Sequence, residues 1–246
     1  MNAPLIRVRD LRVGWADQVL LSAASFDVAR GDVFVILGGS GCGKSTLLRH
    51  LIGLEVPSVG TISIAGVGAP RLEGAAPEYG VMFQSGALFS SMTVGENVGF
   101  ALQEWTELPA DAIDAIVKAK LALVGLEGAE RRLPAELSGG MKKRAAIARA
   151  MAFEPNLLFL DEPSAGLDPV SAAELDELII ALNRGLGLTV VMVTHELESI
   201  FKVGKHCIML DRESKSIIAS GSPQELKLTS SDERVRQFFH REARVR

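Results

Sequence analysis

Residues 38 to 46 read Gly38-Gly39-Ser40-Gly41-Cys42-Gly43-Lys44-Ser45-Thr46, and the stretches on either side decide their meaning. The run before them, Val33-Phe34-Val35-Ile36-Leu37, is too short for a buried helix and β-branched enough for a strand. After them, Leu47-Leu48 and Leu51-Ile52 carry the spacing of a helix. Strand, glycine loop and helix in that order are what a phosphate-binding loop requires. Glycines let backbone N–H groups converge on anionic oxygens, and the helix begins at its positive end. In this pattern Lys44 reaches the β- and γ-phosphates, Ser45 holds Mg²⁺ and Thr46 supports an α-phosphate contact. The stretch implies a nucleoside triphosphate site.

Composition narrows the setting. The chain has 246 residues, consistent with one large domain or a domain carrying an insertion. Lys+Arg 26 against Asp+Glu 30 leaves a net charge of -4, which argues against a general nucleic-acid partner. No apolar run approaches the roughly 20 residues that span a bilayer, and the amino terminus lacks the apolar core of a signal peptide. Cys42 and Cys207 form no disulfide framework or metal spacing, so a reduced compartment is expected.

Before the loop, residues 5 to 13 and 19 to 29 read as strands joined by Gly14-Trp15-Ala16-Asp17-Gln18. Trp15 is either an edge packing residue or a plate for a purine ring. Residues 60 to 65 form a short strand, and Tyr79 to Phe83 another that ends at Gln84. That glutamine either reaches Mg²⁺ and the attacking water with its amide oxygen or lies on the surface.

From Ser85 to Ala152 the pattern turns helical, with segments at 94–104, 109–124 and 138–152, and reads as an insertion in an α/β core. Its opening loop places Leu88 beside Phe89, either tucked under the helices or exposed as a docking surface. Ser138 is a good N-cap, and Gly139 and Gly140 bare the first-turn N–H groups: an ordinary capped helix or a second anion site.

Leu157 to Leu160 is an apolar strand that ends in Asp161-Glu162. Such acids belong at the strand's carboxyl end, Asp161 toward Mg²⁺ and Glu162 toward the water that attacks the γ-phosphate. Residues 164–169 read as a turn, 175–186 as a helix and 189–193 as a strand leading to His195, a candidate γ-phosphate sensor. Ser222-Pro223-Gln224-Glu225 starts a helix, and Ser230 is expected to cap a last one bearing Val235, Phe238 and Phe239 on one stripe.

Taken in order, these motifs resemble the ATP-binding-cassette ATPases, the nucleotide-binding subunits of ABC transporters. The resemblance covers nearly the whole chain. It makes Trp15 the A-loop aromatic and so favours stacking, Gln84 the Q-loop, and Leu137 to Met141 the signature. Leu157 to Glu162 becomes the Walker B strand, Ser164 to Asp168 the D-loop and His195 the H-loop. Met141 departs from the glutamine usual at that place, and a thioether cannot reproduce an amide's hydrogen bonds.

The resemblance implies an α/β fold: a P-loop NTPase, RecA-like core with an antiparallel β subdomain and an inserted helical subdomain. The division is 1–84, first part of the core; 85–153, helical subdomain; 154–230, second part of the core; 231–246, helical tail. It implies ATP and Mg²⁺ as cofactors, places Asp168 among the nucleotide-binding residues, and implies a homodimer in which Ser138, Gly139 and Gly140 of one copy clamp the γ-phosphate held by the other copy's P-loop.

The longer runs Leu137 to Ala150, Phe83 to Phe89, Thr194 to Phe201 and Asp232 to Phe239 are similar to Mce-associated lipid transporters, particularly the Mla phospholipid system. That likeness implies a membrane permease partner, an Mce-domain substrate-binding protein, a small cytoplasmic regulatory subunit and a place on the cytoplasmic face of the bacterial inner membrane. Another importer or exporter, or a soluble cluster-assembly ATPase, is the alternative.

Overall fold

The computed structural model describes residues 3–15, 18–71 and 76–242. The chain divides into two compact units, residues 1–72 with 189–246, and residues 73–188.

In the first unit, β1 (Ile6–Trp15) pairs antiparallel with β2 (Gln18–Val28) and with β4 (Thr61–Ile64). Alternation along β2, with Leu21, Ala24, Phe26 and Val28 buried and Ser22, Ala23, Ser25 and Asp27 exposed, marks one covered face. Gly14 and Trp15 continue β1 instead of forming a loop, with Trp15 opposite Gln18. The Trp15 side chain and residues 16 and 17 lie outside the described residues, so the stacking expectation rests on sequence.

The same unit holds a second sheet in the order β7-β3-β8-β9. Strands β3 (Val33–Gly38), β7 (Thr189–Val193) and β8 (His206–Asp211) run parallel, and β9 (Ser216–Gly221) returns antiparallel to β8. Every residue of β3 and β7 is buried, as expected of strands covered on both faces. Helix α1 (Lys44–Leu51) follows β3. Helices α6 (Leu197–Val203), α7 (Pro223–Thr229) and α8 (Glu233–His240) complete the unit.

The cap of the last helix differs from sequence expectation. Helix α8 is capped by Asp232, whose carboxylate accepts from Arg234 N at 2.9 Å, and not by Ser230. A carboxylate at an N-cap also complements the helix dipole, an advantage a hydroxyl lacks. The terminal stripe docks within its own unit: Val235 and Phe239 are buried, and the Phe239 ring lies 5.6 Å from that of Phe201.

In the second unit, β5 (Gly80–Met82) pairs in parallel with β6 (Leu157–Asp161). Helices α2 (Val94–Trp105), α3 (Ala110–Leu123), α4 (Gly139–Ala150) and α5 (Pro169–Leu186) accompany them. A full capping box between Thr93 and Glu96 opens α2. Helix α5 begins six residues earlier than the apolar spacing indicates. Asp168 accepts from Val170 N and Ser171 N, both at 3.0 Å, and Pro169 fills the first helical position.

Candidate nucleotide site

The loop from Gly38 to Gly43 joins β3 to α1 in a conformation that demands glycine. Gly41 and Gly43 have φ of 74° and 99°, and Gly38 sits so close to β8 that a Cβ there would lie 2.6 Å from Leu210 O. The Lys44 ammonium folds over the loop, donating to Gly38 O at 2.9 Å and Gly39 O at 3.1 Å. Gly43 caps α1 in the left-handed conformation with no side-chain hydrogen bond, which leaves the helix start to a ligand. Ser45 and Thr46 lie in the first turn of α1.

Cys42 is buried, and that burial pushes its thiol above the usual range. Beside the loop opens a cavity of ≈ 760 Å³, lined by Gly39, Ser40 and Cys42 and by Arg212, Arg234 and Arg241. His195 follows β7, whose Val193 is in register with Ile36 of β3, so His195 and the loop both follow the carboxyl ends of parallel strands. Ligands of open parallel sheets bind outside those carboxyl ends.

The second unit carries the acidic residues. Asp161 ends β6, and Glu162 follows it buried at 8% exposure with φ of 45°. A non-glycine residue held there costs about 1–3 kcal/mol, and such strain gathers at functional sites. Gln84 is exposed just past β5, at the head of a turn in which Gly86 and Ala87 also have positive φ.

Ser138 caps α4, its hydroxyl accepting from Met141 N at 3.2 Å while remaining a donor. A Cβ on Gly139 would lie 3.2 Å from Leu167 Cδ2, and one on Gly140 would lie 3.5 Å from Ser171 Cβ. These glycines therefore keep the first turn of α4 bare and close to the 164–168 turn. Asp168 is exposed, and the Ser171 hydroxyl and amide hold its carboxyl below the usual carboxylate range.

Three polar residues of this unit escaped the sequence reading. Asn97 is fully buried and braces the 89–93 backbone, accepting from Phe89 N at 2.7 Å and donating to Phe89 O, Met92 O and Thr93 O. Lys143 and Arg149 of α4 donate to carbonyls of the residue 84–87 turn. Their signal was present: a polar residue on the apolar face of a helix needs a partner.

In the loop after Gln84, Leu88 is intermediate in exposure, whereas Phe89 is 47% exposed and meets Phe100 at 5.4 Å between ring centroids. The exposed reading of that pair holds for Phe89.

A glycine loop crowned by its lysine, an acid-ended parallel strand and a capped glycine-opened helix define a P-loop nucleotide-binding protein. The chain belongs to the ABC transporter family, whose model matches residues 21–165. It is 42% identical over 242 residues to the intermembrane phospholipid transport system ATP-binding protein MlaF of Escherichia coli (strain K12), a match covering 96% of this chain and 89% of that protein. It is 40% identical over 240 residues to the probable ribonucleotide transport ATP-binding protein mkl of Mycobacterium leprae, covering 96% and 68%.

Solved structures agree on the fold. That of cbiO1 from Clostridium perfringens superposes with a TM-score of 0.81 at 31% identity, covering 92% of this chain and 91% of that one. A dimeric structure of the ATP-binding cassette MJ0796 bound to ADP and Pi superposes with a TM-score of 0.77 at 25% identity, covering 88% and 98%.

Proposed function

We propose that this chain is the ATP-hydrolysing subunit of an ABC transporter that moves phospholipid, working as a dimer with two composite nucleotide sites. The ATPase reading is carried by the Lys44-crowned loop of the first unit, and the buried, strained Glu162 of the second supports it. The phospholipid cargo rests on the match to MlaF across nearly the whole chain. The match to mkl supports a second reading, another cargo moved through the same kind of ATPase.

In this reading Lys44 and the loop N–H groups, including those of Gly39, Ser40, Gly41 and Gly43, bind the β- and γ-phosphates. Glu162 accepts the proton of the attacking water and His195 senses the γ-phosphate. Trp15 stacks on the adenine. Ser138, Gly139, Gly140 and Asp168 act across the dimer on the other copy's nucleotide.

In this reading the Ser45 hydroxyl, the Gln84 amide oxygen and the Asp161 carboxylate would hold Mg²⁺, and the chemistry of each donor, a hard oxygen, suits that ion. When bound, the metal screens the phosphate charge. In this reading residues 1–84 and 154–230 form the nucleotide-binding core by function, 85–153 the helical subdomain and 231–246 the tail, a functional division distinct from the compact units at 1–72 with 189–246 and 73–188. Partners in this reading are a permease, an Mce-domain protein and a small regulatory subunit, with the chain on the cytoplasmic face of the inner membrane. Among the described residues no helix is long and apolar enough to cross a membrane.

The test is ATP hydrolysis by the chain co-purified with its permease, alongside lipid analysis of the complex. Lys44→Ala is expected to lose ATP binding and hydrolysis, and Glu162→Gln to bind ATP without turnover. Near wild-type turnover by Glu162→Gln overturns the catalytic assignment. A complex that carries no phospholipid and moves none overturns the cargo.

A further inference from the structure

Helix α4 begins at the Ser138 cap, and its next turn carries Lys143, a lysine only 7% exposed among Ala145, Ala146 and Ile147, which are wholly buried. An ammonium is retained in such surroundings only if hydrogen bonds replace its water. Lys143 Nζ donates to Gln84 O at 2.5 Å and to Glu162 O at 3.3 Å. These two carbonyls belong to the turn after β5 and to the strained residue after β6, both within the second unit.

Arg149 extends the same grip. Its guanidinium donates to Ala87 O at 2.5 Å and to Gly86 O at 3.0 Å. One helix therefore holds the backbone of the glutamine turn at three carbonyls and that of Glu162 at one. A flexible stem with three donors suits two carbonyls on different segments. A left-handed backbone at a glutamate persists only where its surroundings hold it, and the Lys143 hydrogen bond is part of that hold. Five residues, about 7.5 Å of helix rise, separate Ser138 from Lys143. The anion-binding start of α4 and the ammonium that orients Glu162 thus move as one rigid body.

We propose that Lys143 is a positioning residue for ATP hydrolysis, aligning Glu162 and coupling that alignment to the signature end of α4. The proposal rests on the reading of Glu162 as the catalytic base. It assigns Lys143 no contact with nucleotide.

The experiment compares Lys143→Met, Lys143→Gln and Glu162→Gln in the full chain, each assayed well below its own melting midpoint. Methionine keeps the length and loses the donors, whereas glutamine keeps two N–H groups. Lys143→Met is expected to lower kcat about ten- to a hundredfold, the scale of a small misplacement at a reacting group. Its KM for ATP and its binding of a fluorescent ATP analogue stay within about threefold of wild type, because uniform binding is untouched. Lys143→Gln is expected to recover most of the lost kcat.

A wild-type kcat in Lys143→Met, beside an inactive Glu162→Gln, overturns the positioning role and leaves the base assignment standing. So does a loss in Lys143→Met that Lys143→Gln fails to relieve. If Lys143→Met does not fold, Lys143→Ala replaces it under the same criteria. If all three fail to fold, Lys143 is a structural residue and the proposal falls. An active Glu162→Gln overturns the underlying reading instead.

Discussion

Arg234 of the last helix donates from Nη1 to Oδ2 of Asp211 at 2.8 Å, and Asp211 is 1% exposed at the end of β8. The residue before it, Leu210, lies in register with Gly38 at the start of the phosphate loop. The carboxyl-terminal helix is therefore anchored on the strand that backs that loop. Asp211 also accepts from the amide and hydroxyl of Ser214, both at 2.9 Å, so the ion pair and the turn after β8 share one carboxylate.

Arg234→Ala removes the cation from a buried carboxylate that keeps its Ser214 bonds. The expected loss is about 1–3 kcal/mol of unfolding free energy, the cost of leaving a buried acceptor short of a donor. Urea denaturation measures it. A midpoint unchanged from wild type would show that the pair contributes nothing net.

Acid should weaken the same corner. Hydrogen bonds from the Arg234 side chain, first among the causes, hold the Asp232 carboxyl below the usual carboxylate range. A carboxyl whose folded pKa is depressed stabilises the fold above its unfolded value of about 3.9 and loses that contribution as pH falls through the lower folded value. Asp232→Asn is expected to be less stable than wild type at pH 7, with the gap closing toward pH 3, measured by denaturation at each pH.

Phe239 is 3% exposed against Phe201 in the same copy. Phe239→Ala should cost about 3 kcal/mol, the low end for a buried phenylalanine. Because the docking is within one copy, the loss should not depend on protein concentration. Thermal melts across a range of dilutions decide this.

Phe89 is the exposed partner of an edge-to-face pair with Phe100, on a loop braced by Asn97. Phe89→Asp should leave the isolated subunit's melting midpoint within a few degrees of wild type while weakening co-purification with the permease. A mutant that fails to fold would instead show that this ring supports its own unit. Asn97→Ala, by contrast, takes the side-chain partner from Phe89 N and Met92 O, while Phe89 O and Thr93 O keep backbone donors, and should destabilise by about 1–3 kcal/mol.

Cys207 is wholly buried and its thiol is pushed up to about 12 by that burial, while the Cys42 thiol is also raised. Thiolate is the reactive form, so neither cysteine should react with DTNB in the native protein at pH 8. Both should titrate in denaturant. Rapid labelling of native protein would show that the loop around Cys42 opens.

What was legible in the sequence was local. The apolar run of β3 and the glycines after it, the acid-ended β6 and the Ser138 cap each announce themselves within a few residues, because positive φ, capping and strand burial are short-range demands. The start of α5 was legible too, in Asp168-Pro169, but apolar spacing drew attention to Leu175 instead. Strands β8 and β9 and helix α6 carry no such local signal. Beyond Cys207 to Leu210 their apolar runs are short, and their burial depends on strands far away in the chain.

By itself, then, the sequence determined that this protein has a phosphate loop, an acidic strand end, a second helix start bare enough for an anion, and membership of the cassette family. Those features depend on residue type and spacing alone. Tertiary structure decided what holds them: that Lys143 reaches two carbonyls 59 and 19 residues from itself, that Asn97 braces the exposed Phe89, and that the terminal phenylalanine stripe packs on its own copy. A hydrogen bond to a backbone carbonyl leaves no mark on the identity of the residue that accepts it. Only the folded chain shows which carbonyl a buried ammonium has found.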